Sequence, residues 1–198
     1  MQSLLKLSGL IDAINERLGK ATTWLVLIVV LISAGNAVMR YVINWSSNAY
    51  LEIQWYLFSA IFLLCAGYTL LKNEHVRIDI ISGRFTAKTR AWIDVWGIIL
   101  FLFPMAYLFI DLGWPFFMMS YNGGEVSANA GGLIRWPVKI LLPVGFAFLL
   151  LQGVSELIKR LAFIKDLIPD PTERSGKTAE EELAEEIART AQGVENNG

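Results

Sequence analysis

One short charged segment has residue types and a spacing that could support chemistry. It reads EHVRID over 74–79 and holds the one histidine of the chain. His75 and Asp79 lie one helical turn apart with Glu74 adjacent, which resembles part of a metal site. Metal sites of this kind use three protein ligands, and Arg77 places a competing cation among these side chains. The pattern therefore favours a salt-bridged helix end over a metal site.

Other reactive arrangements are limited by the single histidine and the single cysteine. A bis-histidine haem needs a second histidine, and a Ser-His-Asp or Cys-His arrangement would need His75 for every purpose. Cys65 lies inside an apolar run, so we interpret it as a packing residue. We predict no catalytic, cofactor-binding or metal-binding residue, and a protein that is not an enzyme.

The composition indicates which elements position the charged segment. The 198 residues are 55% hydrophobic, and their mean hydropathy is positive, which exceeds what a soluble core of this size uses. Lys plus Arg (17) nearly balances Asp plus Glu (18), and this balance argues against nucleic acid as a partner. The sequence therefore predicts an all-α integral membrane protein embedded in the lipid bilayer.

Four apolar runs are long enough to cross a bilayer, since about twenty helical residues at ~1.5 Å each cover ~30 Å. The runs extend over about 21–41, 51–71, 91–113 and 137–158. Together they form one membrane domain, 21–158. Pro104 predicts a kink in the third helix and Pro143 an irregularity in the fourth. We expect the aromatic and glycine-rich connection 114–136 to pack at the outer interface, with turns at its two glycine pairs.

Basic residues are distributed unequally between the two sides of these spans. Twelve of them, from Lys6 to Arg174, lie on the side of the termini and of the turn 72–90. Only three, Arg40, Arg135 and Lys139, lie on the other side. Because cytoplasmic loops carry the excess of Lys and Arg, both termini are predicted to be cytoplasmic.

Two charged residues lie at neighbouring ends of the first and second spans. Arg40 ends the first span and Glu52 begins the second, so both should occupy the same side of the membrane. Pairing would lower the cost of each charge. In the alternative, Arg40 extends to lipid phosphate and Glu52 is exposed to water. The sequence leaves both interpretations open.

The two terminal segments are predicted to lie outside the membrane domain. Residues 1–20 have an apolar stripe at helical spacing, which predicts a short amphipathic helix at the membrane surface, although an extension of the first span fits the same pattern. The stripe consists of Leu4, Leu7, Ile11, Ile14 and Leu18. Residues 159–198 are predicted to form a cytoplasmic, partly disordered acidic tail.

Several short motifs follow one another in a specific order along 21–158. They are NAVMRY at 36–41, Glu52 before an aromatic run, EHVRID at 74–79, GEVS at 124–127, WP at 136–137 and LPVG at 142–145. In this order and spacing the chain resembles the small membrane subunit, or small permease, of tripartite ATP-independent periplasmic (TRAP) transporters. The EHVRID element is the most specific of the motifs.

The resemblance implies partners and a location in a bacterial inner membrane. In this family a periplasmic substrate-binding protein delivers an organic acid or related solute to a complex of the small subunit and a large multi-span membrane subunit. The large subunit carries solute and sodium by an elevator-like motion, and the small subunit is its scaffold. The expected structural or subunit-contact residues are Arg40, Glu52, Glu74, His75, Arg77 and Asp79.

Two other classes of membrane protein stay open at this point. A membrane-anchor subunit of a redox enzyme complex is the first alternative, but the single histidine argues against it. A small independent channel or exporter would need polar residues in the middle of its spans, where this sequence is almost purely apolar.

Overall fold

The structure is a computed structural model that describes residues 1–45, 47–73 and 85–171. Four of its helices are long and apolar enough to cross a membrane, as predicted. They are α1 (Gln2–Val42), α2 (Asn48–Leu71), α3 (Ala87–Asn122) and α4 (Trp136–Ile164). The described part contains no β-structure beyond one isolated bridge, so the all-α prediction is confirmed there. The motif at 74–79 and most of the acidic tail lie outside the described residues.

Helix α4 is the centre of the bundle, because it packs against the other three helices, while α1 also packs along α2. Glycines permit the close approach. A Cβ atom on Gly145 of α4 would lie 2.8 Å from the backbone oxygen of Leu63 in α2. A Cβ atom on Gly153 would lie 2.7 Å from the side chain of Leu102 in α3. Such small residues give membrane helices the van der Waals contact that holds them together.

The bundle has two ends, which are named here by what they contain. The N-terminal end contains the beginnings of α1 and α3 and the ends of α2 and α4. The loop end contains the end of α1, the beginning of α2 and the loop 123–135, which joins α3 to α4.

The N-terminal helix agrees with the alternative in which residues 1–20 extend the first span. Helix α1 is continuous from Gln2 to Val42, and a separate amphipathic helix over 1–20 is not confirmed. The face that packs in the bundle consists mainly of small and polar residues, namely Ser8, Ile11, Asn15, Gly19 and Thr22. Leu4 and Leu7 of the apolar stripe are exposed. Most of the predicted stripe therefore lies on the outer face, with Ile11 as the exception that packs in the bundle, because small and polar residues make the closer contacts between membrane helices.

The two predicted helix irregularities are present. Helix α3 contains a π-helical segment, Ile98–Leu102, directly before Pro104. Proline lacks an N–H and its ring clashes with the carbonyl four residues earlier, so the preceding turn cannot keep ordinary α-helical bonding. Helix α4 is interrupted at Ile140, three residues before Pro143.

The third helix is longer than predicted, since it ends at Asn122 rather than near Gly113. Pro115 does not terminate it, and the last turns instead pack against the beginning of α4. Phe117 is buried, and its ring lies 6.3 Å from the ring of Trp136. Aromatic pairs at this separation add to the stabilisation from buried area, which explains why the helix continues.

Candidate functional site

At the loop end, Glu52 fixes the loop 123–135 to the first turn of α2. Its side chain is buried, with 4% of the residue exposed. The carboxylate accepts hydrogen bonds from the Ser127 hydroxyl, from the Asn129 amide at 2.8 Å and from the Leu133 backbone N–H at 2.7 Å. Hydrogen bonds to an ionised acceptor are about twice as strong as neutral ones. The loop is therefore held to α2 by one carboxylate and three donors.

The loop presents these donors from a compact hairpin. Its backbone is closed by a hydrogen bond from the Ser127 N–H to the Leu133 carbonyl at 2.9 Å. Gly124 and Gly131 have φ values of +58° and +70°, in the left-handed region that glycine adopts without steric cost. These are the turns that the glycine pairs predict, and they place the Ser127 hydroxyl beside Glu52.

A second carboxylate at this end is bonded to the beginning of α4. Glu125 accepts a hydrogen bond from the Lys139 ammonium group. This bond, with a further contribution from the charge of Arg135, holds the pKa of Glu125 below its ordinary value of 4.5. The Glu125 side chain is 37% exposed, so solvent screens the interaction and its energetic contribution is small.

The structure does not bring Arg40 to Glu52. Arg40 is exposed at the end of α1, which agrees with the alternative in which it extends to lipid. Glu52 is neither paired with Arg40 nor exposed to water, because the loop supplies neutral donors to its carboxylate. Both sequence-based interpretations of Glu52 are therefore wrong about its surroundings.

At the N-terminal end, a polar network that the sequence reading missed joins α1 to α4. Asp12 of α1 accepts hydrogen bonds from the Gln152 amide at 2.8 Å and from the Ser155 hydroxyl at 2.6 Å. The Lys159 ammonium group lies 3.1 Å from its other oxygen. One turn further along α1, the Asn15 amide donates to the Gln152 carbonyl oxygen at 2.9 Å. These bonds attach the first turns of α1 to the last turns of α4.

The same network extends to α3 through buried charges. Glu156 lies 2.5 Å from the Lys159 ammonium group, and Arg160 lies 3.5 Å from both Glu156 and Asp94 of α3. Arg160 is only 4% exposed, and its Nε atom has no hydrogen-bond acceptor among the described residues. A buried ion pair repays its desolvation only when further hydrogen bonds satisfy its members. Arg160 is thus only partly satisfied by the network.

Between the two ends, polar side chains also bond within the chain. The Thr22 hydroxyl lies 2.6 Å from the Cys65 sulfur, and the Ser33 hydroxyl donates to the Gln54 side chain at 2.7 Å. Over 1–45, 47–73 and 85–171, no group of three His, Cys, Asp or Glu residues is placed to hold a metal ion. The chemistry that this arrangement supports is attachment of one helix to another.

The match to a known family decides the identity. The family model described as "Tripartite ATP-independent periplasmic transporters, DctQ component" matches residues 27–163. The chain belongs to this family. It is a TRAP transporter small permease subunit, and the matched region contains Glu52, the loop 123–135 and the part of α4 from Gln152 to Arg160. No curated protein shows a significant match to the chain.

The structure describes two of the six predicted contact residues of this small permease. Arg40 and Glu52 lie at the same end but have different surroundings, and the other four lie outside the described residues. The members of the N-terminal network were missed, although a signal exists. Polar or small residues recur every three or four positions along one face of α1 and again along one face of α4, from Gln152 to Lys159. Such periodicity indicates a buried polar face.

Proposed function

We propose that this small permease is the fixed scaffold of a sodium-coupled TRAP transporter that takes up an organic acid or related solute. In this proposal a large multi-span subunit carries the solute and sodium, and a periplasmic binding protein delivers the solute. The observation that carries the proposal is that the polar clusters at both ends are bonded mainly within the chain. A subunit that moves solute needs polar groups available to it in the membrane interior.

The exposed apolar surface supports a subunit that is surrounded by lipid and a membrane partner. Trp55, Phe58 and Phe62 project from one face of α2, each more than 60% exposed. Small side chains and intrachain hydrogen bonds hold α2 to α1 and α4, so these rings are not needed for the chain's own packing. We assign this aromatic face of α2 to contact with the large subunit or with lipid.

The distribution of basic residues supports one orientation in the membrane. We propose that the N-terminal end and both termini face the cytoplasm of a bacterial cell and that the loop end faces the periplasm. The loop 123–135, held by Glu52, and the exposed Arg40 would then lie on the side from which the binding protein arrives. A loop fixed in this way can receive a partner without an additional ordering cost.

The motif at 74–79 is assigned to the contact with the large subunit on sequence grounds. Replacement of Arg77 or Asp79 should lower the yield of the purified complex more than it lowers the affinity for solute. An intact complex with greatly weakened solute affinity would contradict this assignment.

The proposed function is tested by affinity purification of the tagged chain from its native membrane in mild detergent, followed by mass spectrometry. We expect a large multi-span subunit to copurify. Reconstituted uptake should then require sodium, a periplasmic protein and this chain, and vesicles that lack only this chain provide the control. Recovery of the chain alone, or with a partner that has a haem or flavin spectrum, would contradict the proposal and favour a redox membrane anchor.

A further inference from the structure

A cleft of about 520 Å³ lies between α2 and α3, with α4 as its floor. Its walls are apolar over most of their area and include Ala66 and Leu70 of α2, Phe101 and Met105 of α3, and Leu149 of α4. The cleft exists because α2 and α3 each pack on α4 but not along one another. Its volume is in the range of pockets that hold one ligand, about 300 to 1,000 Å³.

The length of the cleft matches the depth of one membrane leaflet. Its lining on α3 extends from Ile93 to Met105, and twelve steps at ~1.5 Å give a length of about 18 Å. Half of the hydrocarbon layer is about 15 Å thick. Beyond the cleft, α3 and α4 meet directly, since the rings of Phe109 and Phe146 stack at 4.3 Å. A membrane-spanning helix would need a cleft as long as the whole hydrocarbon layer. An acyl chain needs only the depth of one leaflet, which is the length of this cleft.

The cleft changes from apolar to polar at the ends of the helices. Asn73, Asp94, Glu156 and Arg160 line it there, near the ends of the predicted spans. The cleft thus has an apolar part followed by charged groups. A phospholipid has the same sequence of parts, an acyl chain followed by a charged headgroup.

Arg160 supplies a donor that the chain does not use fully. Its guanidinium nitrogens lie 3.5 Å from the oxygens of Asp94 and Glu156, whereas charge-assisted hydrogen bonds are about 2.7 to 2.9 Å long. Its Nε atom, which is buried in the described structure, has no acceptor. A phosphate oxygen in the cleft would give the guanidinium group a closer acceptor than either carboxylate, because arginine binds phosphate through its fork of donors.

We propose that the cleft binds one phospholipid from the leaflet at the N-terminal end. One acyl chain lies between α2 and α3, and the phosphate accepts from Arg160. The lining of the cleft carries the carboxylates of Asp94 and Glu156 beside the guanidinium of Arg160, which disfavours a headgroup with net negative charge, so the ligand is a zwitterionic phospholipid. This inference rests on the cleft alone and does not depend on the scaffold function.

A glycine in the cleft wall provides a variant that blocks the acyl chain without disturbing the fold. Gly97 lines the cleft, and a Cβ atom at this position would have no atom within 4 Å. Gly97→Leu should therefore fill the cleft from a helical position that accepts leucine. Gly35→Leu is the matched control, because a Cβ at Gly35 of α1 also has open space around it and Gly35 lies outside the cleft.

The experiment is native mass spectrometry of the full chain after exchange into detergent with added phosphatidylethanolamine or phosphatidylglycerol. We expect one retained phosphatidylethanolamine in the wild type and in Gly35→Leu, less retained phosphatidylglycerol, and loss of the bound lipid in Gly97→Leu. Inorganic phosphate shares the phosphate group of the lipid but has no acyl chains, and adding it should not displace the lipid.

Four results would overturn the inference. Equal retention of phosphatidylethanolamine by Gly97→Leu and the wild type would show that the lipid binds elsewhere. Equal retention of the two lipids would contradict the selection of a zwitterionic headgroup, and displacement by inorganic phosphate would make the cleft a free-anion site. If Gly97→Leu retains the lipid but no longer copurifies with the large subunit, the cleft would instead be assigned to that subunit. Copurification of the large subunit with the wild-type chain tests the proposed function and needs no added lipid. Its result therefore distinguishes failure of the proposed function from failure of the lipid inference.

Discussion

The two ends of the small permease use different physical means to hold their parts together. At the loop end, one buried carboxylate, Glu52, is held by three neutral donors from a single short loop. At the N-terminal end, acids, bases and amides from α1, α3 and α4 share one network. The first arrangement fixes a loop on a helix, whereas the second fixes helices to one another.

This difference implies different consequences of losing one member. If a carboxylate with neutral partners is replaced by a neutral side chain, its hydrogen bonds become weaker but no partner is left with an unpaired charge. Removal of a charged member from a buried network leaves its partner charges less well compensated, which is the costlier case. The N-terminal end should therefore control the stability of the bundle, and the loop end should control the order of one surface.

The largest effect is expected for Arg160→Met, because it removes the cation that Asp94 and Glu156 share. The free energy of unfolding should fall by about 1 to 3 kcal/mol, less than for a fully uncompensated buried charge because Glu156 keeps its pair with Lys159. Denaturant unfolding in mixed micelles measures it. Lys20→Met removes the exposed pair with Glu16 and should cost no more than about 1 kcal/mol. Equal effects of the two variants would contradict the distinction.

The apolar middle of the bundle gives a reference for the two ends. Gly145→Ala places a methyl group against the backbone of Leu63 and should cost about 1 to 3 kcal/mol in the same unfolding assay, because α2 must shift away from α4. Gly35→Ala adds its methyl group in open space and should be neutral or stabilising. A neutral Gly145→Ala variant would mean that α2 and α4 pack less closely than described.

A local effect is expected for Glu52→Gln. The neutral side chain keeps the shape of glutamate but accepts weaker bonds and points an N–H₂ group toward donors, so the loop 123–135 should open more often. Backbone hydrogen exchange in the loop should become about tenfold faster, while exchange in the helices is unchanged. Glu125→Gln, which changes a more exposed carboxylate, should have a smaller effect. Faster exchange throughout the helices would show that Glu52 supports the whole bundle.

The smallest effect concerns pH at the loop end. Since the pKa of Glu125 in the folded chain lies below 4.5, its bond to Lys139 stabilises the loop fully above that pH. The contribution is lost as the pH falls through the lowered pKa. Loop hydrogen exchange, corrected for its intrinsic pH dependence, should therefore increase between pH 5 and the acid limit of folding, and Glu125→Gln should lack this increase. The same increase in the variant would assign it to another group.

Part of this architecture could be predicted from the sequence. Apolar runs of bilayer length and the distribution of basic residues indicate four helices, and proline chemistry indicates the irregularities before Pro104 and Pro143. The surroundings of Glu52 could not be predicted, because its donors lie 75 to 81 residues away in the chain and include a backbone N–H. Sequence proximity suggested Arg40 as the partner instead. The charge of Glu52 does not reveal that neutral groups will donate the hydrogen bonds to its carboxylate.

The N-terminal network shows a second limit of the same reasoning. Apolar residues define the interior of a soluble helix, but in a membrane the lipid takes that face and small or polar residues form the interior contacts. Asp12 and Asn15 therefore belong to the packed face of α1, and the exposed leucines belong to its outer face. A search for polar periodicity on α1 and α4 would have indicated the pairing of their faces.

The central proposal, that the small permease is a fixed scaffold whose helices do not move during transport, is tested most directly by joining two of its helices covalently. Thr22→Cys introduces one thiol beside the native Cys65, since the Thr22 hydroxyl lies 2.6 Å from that sulfur. Oxidation of the reconstituted complex should link α1 to α2, and the double variant Thr22→Cys with Cys65→Ala is the control that cannot link. We expect sodium-driven uptake to continue unchanged after the link forms. Loss of uptake on oxidation, with recovery on reduction and no change in the control, would show that these helices move during transport.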